Sequence, residues 1–395
     1  MFTSISPAPP DAILGLNEAF LADNNPDKIN LGVGVYKNDQ GQTPILESVR
    51  KAEALILEQE TTKSYLPISG SQAYATGVQG LLFGEEHPLL SSGQLKTAQC
   101  PGGTGGLRVG ADFLKFAAAD AKVWISKPTW ANHRSIFAGA GFELAELPWY
   151  DPETRGLNFD GLREALKQVP AGDIVLLHVC CHNPSGVDPS PEQWAEIADL
   201  AEAGGWFPFF DFAYQGFGEG LEADRAPLLL FAERGLRFVV AASCSKNFSL
   251  YNERVGSFTL LAASADEAET AFSQVKRLIR SNYSNPPRHG AAIVETILNT
   301  AELNSLWRSE LDEMRNRIHS LRHTLQEALE GRGLGDFSYI GRQKGMFSFS
   351  GLSDDQVNAL RKEHSIYIVK GGRINVAGIR SETLERLCDA VAAVS

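Results

Sequence analysis

Two hydrophobic rhythms alternate along most of the chain. From residue 95 onward, short apolar runs are separated by longer stretches whose apolar positions fall three and four residues apart. The runs Leu95–Cys100, Lys122–Ser126, Glu143–Leu147, Ile174–Val179, Trp206–Asp211, Phe238–Ala242 and Ser257–Ala262 predict strands. Helical spacing fills the gaps, as in Pro191–Ala203 and in the stretch through Leu107, Val109, Ala111, Phe113 and Leu114. Such alternation predicts an α/β fold with a mainly parallel seven-stranded sheet between helices. The start is different. Pro7, Pro9 and Pro10 predict an extended arm, and Ile13, Leu14, Leu16, Phe20 and Leu21 a short helix. Leu31–Tyr36 predicts a short strand interrupted by two glycines, and Pro44–Glu60 a helix that gives way to a loop at Thr61–Pro67. A long helical pattern from Leu303 to Leu329 leads into a smaller unit with Phe347-Ser-Phe349 and a closing helix at Glu382–Val394. No internal repeat or low-complexity segment interrupts this order.

Length and composition narrow the class. At 395 residues the chain fits one large domain plus a smaller α+β domain. Hydrophobic residues make up 43% and charged residues 21%, an ordinary globular balance. The 36 Lys and Arg against 48 Asp and Glu leave a net charge of −12, which argues against nucleic-acid or anionic-membrane partners. Small anionic substrates stay open, because local arginines override a net field. The first residues, Met1 to Pro7, lack the basic start and apolar core of a signal peptide. No apolar run approaches the roughly 18 residues that span a bilayer. Cys100, Cys180, Cys181, Cys244 and Cys388 are scattered without CxxC spacing, so they read as reduced thiols of a cytoplasmic protein and not as a metal site.

Polar residues stand where the predicted strands end, the place where open α/β sheets carry their chemistry. Lys246 follows the run Phe238–Ala242, with Ser243, Ser245 and Arg254 around it. A lysine amine forms Schiff bases with carbonyls, and hydroxyls beside a guanidinium suit a phosphate. Taken alone, Ser-Xaa-Ser-Lys is weak evidence, because most lysines are solvated surface groups. Asp211 lies among Phe209, Phe210 and Phe212, where an unpaired carboxylate is costly; it needs a cation or a hydrogen-bond network. Asn183 lies in a turn after the run Ile174–Val179. Pro101-Gly-Gly-Thr-Gly-Gly106 opens a helix and bares backbone N–H groups, a phosphate cradle or a plain strand–helix turn. Its spacing is neither Walker A nor GxGxxG.

Together these residues fit pyridoxal 5′-phosphate. That cofactor needs a lysine, a carboxylate at its pyridine nitrogen, donors at its phenolic oxygen and a phosphate cup. Lys246 and Asp211 supply the first two; Asn183 and Tyr214 supply donors. Gly103, Thr104, Ser243 and Arg254 form the cup, and Trp130 offers a flat face to the ring.

The motifs LGVGVYK, TTKSY, GGTGGLRVGADFL, PTWANH, CCHNPSG, FDFAYQGF, SCSKNFSLYNERVG, SNYSNPPRHG and GGRINVAG run in consistent order from residue 31 to 378. In these the chain resembles the class I (fold type I) pyridoxal-phosphate-dependent aminotransferases, in the branch of the aspartate and aromatic enzymes. The resemblance implies a homodimer with shared active sites, in which Tyr65 reaches the phosphate and Arg280 the substrate from the neighbouring chain. It implies that Arg373 holds the substrate α-carboxylate, with Gly34, Trp130 and Asn183 around it, and that His133 and His178 support Asp211. It also divides the chain into an arm and part of the small domain (1–43), a large cofactor-binding domain (44–313) and the rest of the small domain (314–395). Ser64 departs from the asparagine that many aspartate enzymes carry beside the tyrosine.

The expected activity is transfer of an amino group from aspartate to 2-oxoglutarate, with small amino-acid and 2-oxo-acid substrates and no metal. Lys37, Thr43, Thr104 and Asn285 resemble the aspartate type. The rival is an aromatic aminotransferase of the same fold. A decarboxylase or aldolase leaves Arg373 and Arg280 unexplained, and a non-catalytic protein leaves Lys246 and Asp211 to coincidence.

Overall fold

The computed structural model describes residues 2–7 and 14–395. Pro9, Pro10 and Ile13 of the predicted arm and first helix lie outside the described residues, as does the Leu14 side chain; the helix runs Leu14–Ala22.

Among the described residues the strands are β1 (Ile29–Asn30), β2 (Leu95–Pro101), β3 (Val123–Lys127), β4 (Leu144–Pro148), β5 (Tyr150–Asp151), β6 (Gly156–Leu157), β7 (Ile174–His178), β8 (Phe207–Phe212), β9 (Phe238–Ser243), β10 (Val255–Leu261), β11 (Phe347–Phe349), β12 (Ile366–Tyr367) and β13 (Arg373–Asn375). Seven of them form one sheet in the order β2-β10-β9-β8-β7-β3-β4. β10 is antiparallel to both neighbours; the other pairings are parallel. The seven predicted strands are these seven, with ends moved by one or two residues.

Both faces of this sheet are covered, which is why its strands read as nearly continuous apolar runs. Successive residues of β8 and β9 enter opposite layers: Phe210 and Val240 pack in one core, Phe209 and Val239 in the other. Each such buried side chain contributes about 1.5–3 kcal/mol of transfer free energy.

The register matters more for function than the bulk of the core. It sets His178 directly beside Asp211 on β7 and β8, and Asp211 beside Ala241 on β9. Through β10 it sets Gly256 opposite both Ser243 and Cys100. The strand ends that carry candidate residues therefore converge at one end of the sheet, where its central parallel strands finish.

A 30-residue helix, Ala301–Glu330, runs about 45 Å at 1.5 Å per residue. Trp307 near its start stacks on Phe248 (centroids 4.3 Å apart) and donates its indole N–H to the Asn247 carbonyl at 2.7 Å. The loop holding Lys246 is thus anchored to this helix. Farther along it, Arg322 is fully buried and donates to the carbonyls of Ile340, Lys344, Gly345 and Phe347. Beyond the helix, β11 pairs with β13, and β12 returns to pair in parallel with β1.

The predicted strand Leu31–Tyr36 is not one: the ladder stops at Asn30 and the next residues are irregular. Their backbone groups are satisfied elsewhere. The Gly32 carbonyl accepts from Arg373 at 2.5 Å, and the Val33 and Val35 carbonyls accept from the Asn375 amide at 2.8 and 2.7 Å. The Tyr36 N–H donates to the Tyr251 hydroxyl at 2.9 Å. Leu31 still bonds backbone to backbone with Tyr367 and Asn375, but beyond it side chains take several of the groups that a ladder would use.

Candidate active site

One cavity of about 240 Å3 opens where β7, β8 and β9 end and the helix Gly102–Ala117 begins. His133, His178, Lys37, Thr43 and Asn285 do not line it, whereas every residue expected to touch cofactor or substrate does, except Tyr65 and Arg280. Those two lie on the outside of this chain: Tyr65 is 92% exposed, and Arg280 is exposed and bonded to the Ser284 hydroxyl. Leu107, Ala213, Tyr251 and Phe347 also line the cavity and were missed. Tyr251 lies within the motif around Lys246, so its hydroxyl was a visible signal. Phe347 gave none beyond strand-like alternation.

Lys246 hangs over the cavity with its amine 4.5 Å from the centroid of the Tyr214 ring. Burial pulls its pKa down to about 8; the Arg254 charge adds to the fall and Asp211 opposes it. Asp211 behaves in the opposite way. Burial pushes its carboxyl up, but the His133 hydrogen bond and the Lys246 charge oppose this, and the carboxyl is held below the usual carboxylate range. His133 Nε2 donates to Asp211 Oδ2 at 2.9 Å, in the tautomer whose Nδ1 accepts from the Thr129 hydroxyl at 2.8 Å. His178 Nε2 stands 4.0 Å from the same oxygen, and burial drops its pKa to about 3, so it is neutral. The result is an ionised carboxylate that is itself buried.

Asn183 donates to the Tyr214 hydroxyl at 3.2 Å, and its Oδ1 is buried without a partner. Burial raises the Tyr214 pKa, which keeps the phenol protonated and able to donate. Arg373 is 5% exposed, lies 4.4 Å from the Phe347 ring centroid, and has no carboxylate partner among the described residues; its Nε is unpaired there. Burial lowers its pKa to about 10.

At the other end of the cavity the helix starts at Gly102, whose φ of +72° suits only glycine there. A Cβ at Gly102 would lie 2.3 Å from the Arg254 guanidinium, and one at Gly103 would lie 2.9 Å from Ser243 Cβ. The space in front of these residues is therefore kept open by missing side chains. Free N–H groups of the first helical turn face it, as in an anion cradle. Ser245 donates its N–H to the Ser243 hydroxyl at 3.2 Å, and Arg254 reaches the Ser245 hydroxyl at 3.4 Å.

These residues fit pyridoxal phosphate. A depressed-pKa amine, an ionised buried carboxylate, an amide–phenol pair and an open, positively charged cup lie around one space of suitable volume. His133, His178 and Asp211 also lie close enough to hold a metal ion. His133 instead spends its two ring nitrogens on Asp211 and Thr129, which suits the task of keeping the carboxylate charged, while His178 Nε2 is buried without a hydrogen-bond partner.

Comparison with known proteins agrees with this geometry. Residues 26–391 match the family model described as aminotransferase class I and II. The chain is 51% identical to an aspartate aminotransferase of Salmonella typhi, covering 100% of both chains. It is 44% identical to an aromatic-amino-acid aminotransferase of Pseudomonas aeruginosa, covering 100% of this chain and 98% of that one. Among solved structures, an aromatic-amino-acid aminotransferase from Burkholderia pseudomallei covalently bound to pyridoxal phosphate superposes with a TM-score of 0.98. Its identity is 51%, over 100% of this chain and 99% of that one.

Proposed function

The chain belongs to the class I and II aminotransferases, and from that premise we propose that it moves an amino group from L-aspartate to 2-oxoglutarate, giving oxaloacetate and L-glutamate. Pyridoxal phosphate, when bound, supplies the carbonyl that captures the amino group and a ring that takes up electron density. Everything else is the work of this chain. Lys246 offers an amine that is neutral for a large fraction of the time near pH 8, so it serves as nucleophile and then as the base for the substrate Cα proton. Asp211, held ionised by His133, would hold a proton, and so a positive charge, at the pyridine nitrogen of the bound cofactor. Asn183 and Tyr214 would donate to its phenolic oxygen, while Gly103, Thr104, Ser243, Ser245 and Arg254 would hold the phosphate.

The observation that carries the substrate reading is Arg373, a buried cation with no acid beside it and an unpaired Nε. A guanidinium fork of that kind is matched by an incoming α-carboxylate. The second carboxylate of a dicarboxylic substrate needs a second cation, which we assign to Arg280 of another copy. Its exposure and that of Tyr65 in the single chain suit residues that complete a neighbour's site. We therefore assign a homodimer with shared sites, built from a large domain at 44–313 and a smaller one from 1–43 and 314–395. Five free, buried cysteines fit a location in the cytoplasm. Among the described residues no helix is long and apolar enough to cross a membrane.

A second reading is transfer from aromatic amino acids. It is favoured by the Burkholderia pseudomallei structure and by the apolar walls Leu107, Trp130 and Phe347. A donor panel with 2-oxoglutarate as acceptor decides between the two. The aspartate reading expects kcat/KM for aspartate to exceed that for phenylalanine and tyrosine by at least about tenfold, one desolvated charge pair being worth more than that. Higher values for the aromatic donors would replace it with the second reading.

A further inference from the structure

Asn183 sits in a turn that no strand or helix holds. Cys181, two residues before it, has φ +53°, a conformation costly for a residue with a side chain. Such a turn persists only if its surroundings over-determine it. Two successive N–H groups, those of Cys181 and His182, are taken by one carboxylate. Asp188 Oδ2 accepts from Cys181 at 2.6 Å and Oδ1 accepts from His182 at 2.8 Å. The next residue along the chain is Asn183. The His182 ring is itself pinned by Ser126 at 2.9 Å and Ser185 at 2.8 Å, and it stacks on Trp149.

Asp188 does not line the cavity of Lys246. It lines a separate cavity of about 370 Å3 behind the turn, with Cys180, Trp194, Asp224 and Lys344. The turn thus has a cavity on each side, with Asn183 facing one and Asp188 the other. Neighbouring charges are already spent: Lys344 pairs with Glu219 at 3.1 Å, and Asp224 accepts from the N–H groups of Gly216, Gly218 and Glu219. Asp188 therefore has the two N–H groups to itself, and charge-assisted bonds of this kind are the strong ones.

We propose that Asp188 is a positioning residue: its two oxygens clamp the Cys181–His182 peptide and so hold the Asn183 amide where it donates to the cofactor's phenolic oxygen. This rests on the role assigned to Asn183 above. A donor at that oxygen favours the form in which the oxygen carries its charge alone. Losing the donor raises the pH at which the bound cofactor gives up its proton.

The test uses the holoprotein and two readouts. Hydrogen exchange at the Cys181 and His182 amides reports the clamp without reference to any cofactor. The pH midpoint of the cofactor's visible absorbance reports its consequence. In Asp188→Asn both amides are expected to exchange at least about tenfold faster, since local opening no longer breaks two charged bonds. The absorbance midpoint is expected to rise by roughly half a unit to one unit, the equivalent of one hydrogen bond. In an Asn183→Ala background the same substitution is expected to leave the midpoint nearly unmoved, because the two act in series. Asp188→Ala leaves two donors facing a cavity large enough for formate, and added formate is expected to return the midpoint towards wild type.

Equal shifts in the two backgrounds, or an unmoved midpoint with only a lowered melting temperature, would overturn the proposal and leave Asp188 a part of the fold. An Asp188→Asn chain that fails to fold would do the same, because the clamp is local. Faster exchange in a protein that shows no cofactor absorbance would instead fault the cofactor reading and leave the clamp standing.

Discussion

Arg373 should stabilise the reaction at the expense of the fold, and Arg373→Met separates the two. The guanidinium is 5% exposed and faces no carboxylate. Its pKa falls from 12.5 to about 10 because burial strips water from the charge. At about 1.36 kcal/mol per unit, that is a cost of roughly 3 kcal/mol for keeping it charged in the folded state. Against it stand one hydrogen bond to the Gly32 carbonyl and the contact with the Phe347 ring, each about 1 kcal/mol. Methionine keeps the length of the stem, fills most of the volume and carries no charge. Arg373→Met is therefore expected to unfold at the same temperature as wild type or a higher one. Its kcat/KM for aspartate should meanwhile fall by about 30- to 5,000-fold, the 2–5 kcal/mol of a truncated buried charge pair. Differential scanning fluorimetry of the cofactor-loaded protein and steady-state kinetics on one preparation read both. A melting temperature lowered by several degrees together with an intact kcat/KM would refute the reasoning, because the arginine would then hold the fold and not the substrate.

Lys246→Ala should bind the cofactor and lose at least about 10²-fold in single-turnover rate, the low end for general-base catalysis; retention of a tenth of wild-type turnover would sink the assignment. Asp211→Asn keeps shape and removes charge, so stopped-flow half-reactions should show slower Cα deprotonation with substrate binding preserved, and an unchanged rate would leave Asp211 a structural role. In cofactor-free protein the Lys246 amine, with a pKa of about 8, should be labelled by amine reagents with a midpoint near pH 8, ahead of ordinary lysines. The sign for stability follows from the same value. Between pH 8 and about 10.5 the unfolded chain holds a proton on this lysine that the folded chain has lost, so cofactor-free protein should gain stability as pH rises through that window. A loss over the window in wild type relative to Lys246→Met would contradict it.

How much of this was legible in the sequence depends on the range of the contacts. Lys246, Asp211 and Asn183 each follow or end an apolar run, so local pattern alone marks them as polar groups at strand ends, and the register of β7, β8 and β9 brings them together. The glycine run at 102–106 was visible for the same reason. The segment Leu31–Tyr36 was misread because its backbone partners, Tyr251, Arg373 and Asn375, lie more than 200 residues away. Arg322 gave no signal, since an arginine on a helix rich in Arg, Glu and Asp reads as solvated until its carbonyl partners at 340–347 fold over it. Asp188 was not singled out in the sequence, and only the strained turn at Cys181 reveals what it holds. Tyr65 and Arg280 face outward in the single chain, and their expected places came from the resemblance alone.

The central claim is that a working site joins Lys246 of one chain to Arg280 of another. Mixing settles it most directly. Lys246→Ala and Arg280→Ala, each nearly inactive with aspartate, are unfolded together in equal amounts, refolded with pyridoxal phosphate and assayed. If sites are shared, each mixed dimer has one site with both residues intact and one with neither. Half the dimers are mixed and half their sites are whole, so roughly a quarter of wild-type activity should return. If each chain furnished its own site, every site would stay defective and mixing would restore nothing.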